Sequence, residues 1–205
     1  KLNDSLFFIE NPQDAMSAFR QYGFISLIKQ IQENFINTQP TQSSQNTSFS
    51  EISSLKDISD SSDTIYCYLN SSGKYLERTF DYFYFLINNV YYKIKKEQVT
   101  SLDLQNLFKN KIIITFDAKV LYQEYELNDF EFEDLKIYEW LINSDKSSFD
   151  LSYLSKKYTS TLSNNIEDIF VNISDIYENI KEEINKSNLQ DIYDYIDGPL
   201  IKVLA

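Results

Sequence analysis

The chemistry open to this chain is narrowed first by the side chains it lacks. Histidine is absent, Cys67 is the only cysteine, and three glycines occur among 205 residues. A Ser-His-Asp triad, a Cys-His dyad, a Cys/His zinc site and a structural disulfide therefore cannot be built within it. No Gly-x-Gly-x-x-Gly or Gly-Lys-Ser/Thr run is present to cradle a phosphate. What remains is carboxylate chemistry, drawn from 31 Asp and Glu against 19 Lys and Arg, a net charge of −12. That balance disfavours tight, unaided binding to DNA or anionic lipid, because phosphate contacts draw their affinity from clustered Lys and Arg. Lys93, Lys95, Lys96, Lys109, Lys111 and Lys119 could form a patch that guides a DNA strand, although a solvated sheet edge and helix face accounts for them equally well. Cys67 has no basic neighbour to lower its thiol pKa and reads as a small core residue. The tyrosines and phenylalanines could stack bases, but most fall at core periodicities.

The elements that must position such groups follow from hydrophobic spacing. A hydrophobic fraction of 42% and an aromatic fraction of 16% suit one packed core. Residues 11–31 have helical spacing, with Asn11-Pro12 as cap and first position. Residues 32–63 are dominated by Gln, Ser, Asn, Thr and Asp and read as a disordered or weakly ordered linker. Strands are then expected at 64–69, 80–87 and 90–95, with Asn88-Asn89 as a type I′ hairpin turn. A helix at 100–108 leads to a strand at 111–115, whose continuous apolar run suits the buried centre of a sheet. Helices are expected at 118–125, 134–143, 150–157 and 164–186. The last carries Ile166, Ile169, Phe170, Ile173, Tyr177, Ile180 and Ile184 on one stripe. The pattern is that of an α/β or α+β domain. No run reaches the roughly 18 apolar residues of a membrane span and the start lacks a signal peptide's layout, so a cytoplasmic setting away from membranes is expected.

Three segments together carry a resemblance that composition alone does not. Through Tyr193, Ile196, Asp197, Pro199, Leu200, Val203 and Leu204, the stretch IYDYIDGPLIKVLA (192–205) resembles the opening of the polymerase domain of bacterial DNA polymerase I. Residues 130–158 resemble the family's stretch in which an Asp opens a helix ending in Leu-Leu-Asn, followed by a Leu-x-x-Leu-x-x-x-Tyr helix, through Asp134, Leu141, Ile142, Asn143, Leu151, Leu154 and Tyr158. FRQYGFISLI (19–28) resembles the closing helix of the 5′-nuclease region. The resemblance implies an α/β, RNase H-like fold of the 3′-5′ exonuclease type, a mixed sheet flanked by helices. It also implies an order of parts: the tail of a 5′-nuclease region at 1–31, the linker at 32–63, the exonuclease-like domain at 64–188, and the start of a polymerase domain at 189–205. The expected partners are the polymerase domain of the same chain and, weakly, DNA held mainly by that polymerase, in a monomer.

An active member of that family holds two divalent metals with acids from three motifs. Carried onto this sequence, the Asp and Glu of the first motif fall on Cys67 and Leu69. Asp117 takes the Asn place of the second motif and Leu121 its Asp place. The third falls on Ile169 with Ile173, or on Val171 with Asp175. Periodicity favours the first register, since Ile173 lies in the apolar stripe and Asp175 is about 200° around the helix. The ligand positions Cys67, Leu69, Leu121 and Ile173 thus read as filled with apolar side chains, which removes the repulsion between unmetallated carboxylates. The expectation is a vestigial exonuclease domain with no cofactor of its own. Two alternatives are an active exonuclease, using Mg²⁺ or Mn²⁺ on some of Asp117, Asp134, Glu167 and Asp175, and an interaction module with an acidic docking surface. Asp117, just before a helix, is expected to serve as its N-cap.

Overall fold

Six strands form one mixed sheet whose order is set by a hairpin followed by crossovers. In the computed structural model, which describes residues 48–58, 62–73, 78–127, 130–146 and 148–205, the strands are β1 (Ser50–Glu51), β2 (Thr64–Ser72), β3 (Thr79–Ile87), β4 (Val90–Lys95), β5 (Ile112–Thr115) and β6 (Phe132–Asp134). Their order is β1-β4-β3-β2-β5-β6. β2, β3 and β4 form an antiparallel meander, while β1, β5 and β6 each join in parallel. Asn88 and Asn89 turn β3 into β4 with φ of 52° and 60°, the positive pair a type I′ hairpin requires.

The two-residue period of the strands sorts the core into two layers. Ile65, Cys67 and Leu69 of β2, Phe83 and Phe85 of β3 and Ile113 of β5 face α1 (Ser101–Phe108) and α2 (Ala118–Glu124). Tyr84 and Leu86 of β3 and Ile114 of β5 face the other way. There they meet α3 (Leu135–Ile142), α4 (Leu151–Thr159), α5 (Ile166–Phe170) and α6 (Ile173–Lys186). α1 starts at a capping box in which Thr100 and Asp103 each bond the other's backbone N–H. The chain closes with α7 (Gln190–Ile192), a π-helical turn at Tyr193–Asp197 and α8 (Gly198–Val203). Among the described residues no helix is long and apolar enough to cross a membrane.

Three expectations need correction. Part of the stretch read as a linker is built into the fold: Ser50–Glu51 pairs with β4, and Leu55 and Ile58 are buried against the α1 layer. Composition missed this because two apolar anchors suffice to order a polar run. The helix expected at 164–186 is broken at Val171–Asn172, where the Tyr91 hydroxyl donates to the Val171 carbonyl at 2.9 Å. The strand β6 was not expected: it lies between the helices expected at 118–125 and 134–143 and takes the first residue of the second, and three residues are too short for a period to register. Residues 189–205, expected to open a polymerase domain, pack within the compact unit Ser44–Ala205, with Tyr193 and Ile201 buried in its two layers. The expected helix at 11–31, and residues 32–47 and 59–61 of the linker, lie outside the described residues.

Candidate functional site

The C-terminal ends of β5 and β6, the middle of β2 beside them and the start of α2 above form the place where the motif positions gather. The ladder sets Cys67 opposite Thr115 and Thr115 opposite Asp134, a row across three strands. Cys67 is fully buried, and burial pushes its thiol up to about 12, so it is a neutral, inert group at physiological pH. The Thr115 hydroxyl beside it is completely buried and hydrogen-bonds the thiol, which offsets only part of the effect of burial. Leu69 and Leu121 are 4% and 1% exposed and share one apolar cluster with Cys67. A bulge after Leu69 shifts the β2–β3 register. Above it a cavity of about 30 Å³ remains, lined by Tyr68, Leu69, Ser71, Phe116, Asp117, Val120 and Leu121. That space holds one or two waters, whereas two catalytic metals about 4 Å apart, with their oxygens, need far more.

Ile173 does not join this group. It packs with Ile169, Phe170, Ile176 and Ile180 on the opposite face of the sheet, so the structure brings together three of the four degenerate positions. Asp175 is exposed on α6. Glu167 is paired with Lys93 of β4 at 2.9 Å, on the α5 side of the sheet.

Asp117 and Asp134 do meet, in roles the sequence assigned differently. Asp117 makes no side-chain cap to α2; it sits in the left-handed region at φ 66°, ψ 62°, and its carboxylate binds Lys136 Nζ at 2.6 Å. Asp134, 17 residues later, does the capping instead. Its Oδ1 accepts from the backbone N–H of Asp117 (3.1 Å) and of Lys136 (2.9 Å), and its Oδ2 from that of Ala118 (2.8 Å). One carboxylate thus serves the first turns of both α2 and α3. It is completely buried, and burial, aided by the charge of Asp117, pushes its pKa up to about 6 despite these three donors. Its oxygens are already taken by backbone hydrogens, which makes it a poor metal ligand. Among the described residues no three His, Cys, Asp or Glu side chains cluster as a metal would require.

Three of the candidate lysines are turned to separate partners. Lys93 turns to Glu167 of α5 and Lys96 to Glu124 of α2, on opposite faces, while Lys111 Nζ reaches the Ser62 carbonyl.

Two polar clusters in the helical layer carried no sequence signal. Glu139 of α3 is fully buried yet bound by Lys157 Nζ, Tyr158 Oη and Asn143 Nδ2. Glu133 of β6 holds Lys181 Nζ at 2.6 Å, and Tyr138 donates to the same carboxylate. Both networks bind α6 or its neighbour α4 to the β6–α3 region, a structural task.

No protein-family model matches the chain, and no curated protein matches it in sequence. Solved structures do match in three dimensions. Brucella melitensis NrnC is similar at TM-score 0.56, with 9% identity over 75% of this chain and 87% of that one. The catalytic core of RRP6 from Trypanosoma brucei is similar at TM-score 0.56, with 10% identity over 76% of this chain and 52% of that one. The fold is that of the RNase H-like exonucleases. The POL domain of Pol1 from M. smegmatis, in complex with DNA primer-template and dNTP, is similar at TM-score 0.55 and 11% identity over 68% of this chain and 27% of that one. At such identities the likeness is one of fold, so the activity of this chain has to be argued from its own side chains.

Proposed function

We propose that the protein is a catalytically silent 3′-5′ exonuclease-like domain of a DNA polymerase I, serving as a structural module beside the polymerase domain in DNA replication and repair. The observation that carries this reading is the packing of Cys67, Leu69 and Leu121 into one buried apolar cluster at the strand ends, where the sequence resemblance places metal-binding acids. Three apolar side chains there exclude the divalent ions, and without them no attacking water is activated. The resemblance of residues 130–158 and 192–205 to polymerase I supports the parent protein. Its partner on this reading is the polymerase domain of the same chain, with DNA held mainly by that domain.

A rearranged active site is less well supported. Of Asp117, Asp134, Glu167 and Asp175, only the first two approach each other, and both are engaged, by Lys136 and by backbone N–H groups. Incubation of the chain with 3′-labelled single-stranded DNA and Mg²⁺ or Mn²⁺ is expected to release no nucleotides. Metal-dependent release that Asp117→Asn abolishes without unfolding the protein would overturn the proposal.

A further inference from the structure

Among the described residues β6 is the last strand on its side of the sheet, and an unpaired edge leaves buried backbone groups without partners unless something covers it. Among the described residues β6 pairs with one strand, β5. On the other side the Phe132 carbonyl and the Asp134 N–H both meet a single atom, Tyr193 Oη. The Asp134 N–H donates to it at 2.8 Å, and the hydroxyl donates to the Phe132 carbonyl. A tyrosine hydroxyl offers one donor hydrogen and acceptor lone pairs, the same complement that one residue of a further strand would present.

The approach of that hydroxyl is prepared by its surroundings. Tyr193 opens the π-helical turn, which closes when the Gly198 N–H donates to the Tyr193 carbonyl. A Cβ at residue 198 would lie 2.9 Å from that carbonyl oxygen and 3.3 Å from the Tyr193 ring, so glycine permits the closure. The ring packs against Tyr138 at a tilt of 33°, with centroids 4.2 Å apart. Eight residues on, Ile201 is buried in the other layer. The C-terminal segment therefore straddles the sheet edge, with one anchor in each core and the hydroxyl between them.

We propose that Tyr193 is a clasp: its hydroxyl stands in for a residue of a seventh strand on β6, locks the Gln190–Val203 segment onto the sheet edge, and holds in place the Asp134 backbone whose carboxylate shapes the mouth of the cleft. The chain of contacts is continuous, from Tyr193 Oη to the Asp134 N–H, from the Asp134 carboxylate to the N–H groups of Asp117 and Ala118, and from Asp117 to Lys136. Tyr193 acts through Asp134 and is a positioning residue. The inference holds whether or not the cleft has any activity.

Amide hydrogen exchange followed by NMR on the full chain tests it. Tyr193→Phe keeps the ring and removes only the hydroxyl. Exchange at Asp134 and across residues 190–203 should accelerate at least tenfold, while amides of β2 and β3 change by less than twofold. Gly198→Ala, which crowds the same ring from the other side, should give the same pattern. Unchanged exchange at Asp134 and 190–203, or a uniform acceleration throughout the chain as for any buried ring, overturns the proposal. If neither variant folds, native-state exchange of the unaltered chain decides: Asp134 and residues 190–203 should open together and before β2 and β3, and independent opening refutes the clasp.

Discussion

Replacing Asp134 by asparagine keeps the shape of the shared cap but removes its titration. Two influences oppose each other at this carboxylate. The N–H groups of Asp117, Ala118 and Lys136 favour the ionised form, while complete burial and the charge of Asp117 disfavour it. Burial wins, and the pKa rises from 3.8 to about 6. Because the folded protein holds this proton more tightly than the unfolded chain does, the contribution is fully present below about pH 3.8. It is lost as the pH rises through about 6. A gap of about 2 pH units at about 1.4 kcal/mol each corresponds to about 3 kcal/mol. Urea unfolding of the wild type and of Asp134→Asn, measured in steps from pH 4 to pH 7.5, should therefore show the wild type's advantage over the variant shrinking by about 2 kcal/mol, the part of that contribution still present at pH 4. Other carboxylates titrate in both proteins and cancel in the difference. An advantage that grows with pH would mean that the three backbone donors outweigh burial, and a flat difference would mean that the group is not desolvated; either result refutes the reasoning.

Further outcomes follow from the same packing. Cys67→Asp places a carboxyl in a fully buried apolar cluster and should destabilise the protein by about 3 to 5 kcal/mol at neutral pH, as read by chemical denaturation. A loss below about 1 kcal/mol would show that water or a cation reaches the site. With its thiol pushed up to about 12, the side chain should react with a disulfide reagent at pH 8 only as fast as the protein unfolds, so prompt reaction of the native chain would contradict its burial. Lys157→Met leaves the Glu139 carboxylate buried without its cation and should cost about 3 kcal/mol. Adding Glu139→Leu should recover part of that loss in a double-mutant cycle.

Local chemistry was legible wherever it acts over a few residues. The hairpin at Asn88-Asn89 follows from the tolerance of asparagine for positive φ, and the β4 and β5 runs from β-branched and aromatic content. The apolar character of positions 67, 69 and 121 is also written in the sequence, since it depends on residue type alone. Their convergence is not. Cys67, Leu69 and Leu121 meet because a parallel crossover brings α2 over β2, whereas Ile173, which shares their apolar character, lies across the sheet on α6.

The remaining features depend on groups distant in sequence. No periodicity could place Asp134 rather than Asp117 as the cap of α2, because the bond spans 16 residues and a strand pairing. The same holds for the Tyr91 hydroxyl that ends α5 at Val171, 80 residues away, and for Tyr193, 61 residues from the carbonyl it caps. Residue types and short-range spacing determine which segments become strands and helices and which side chains can carry charge. Only the tertiary structure decides which of those groups share a face, because a hydrogen bond or a buried contact is set by distance in space and falls off within a few ångströms.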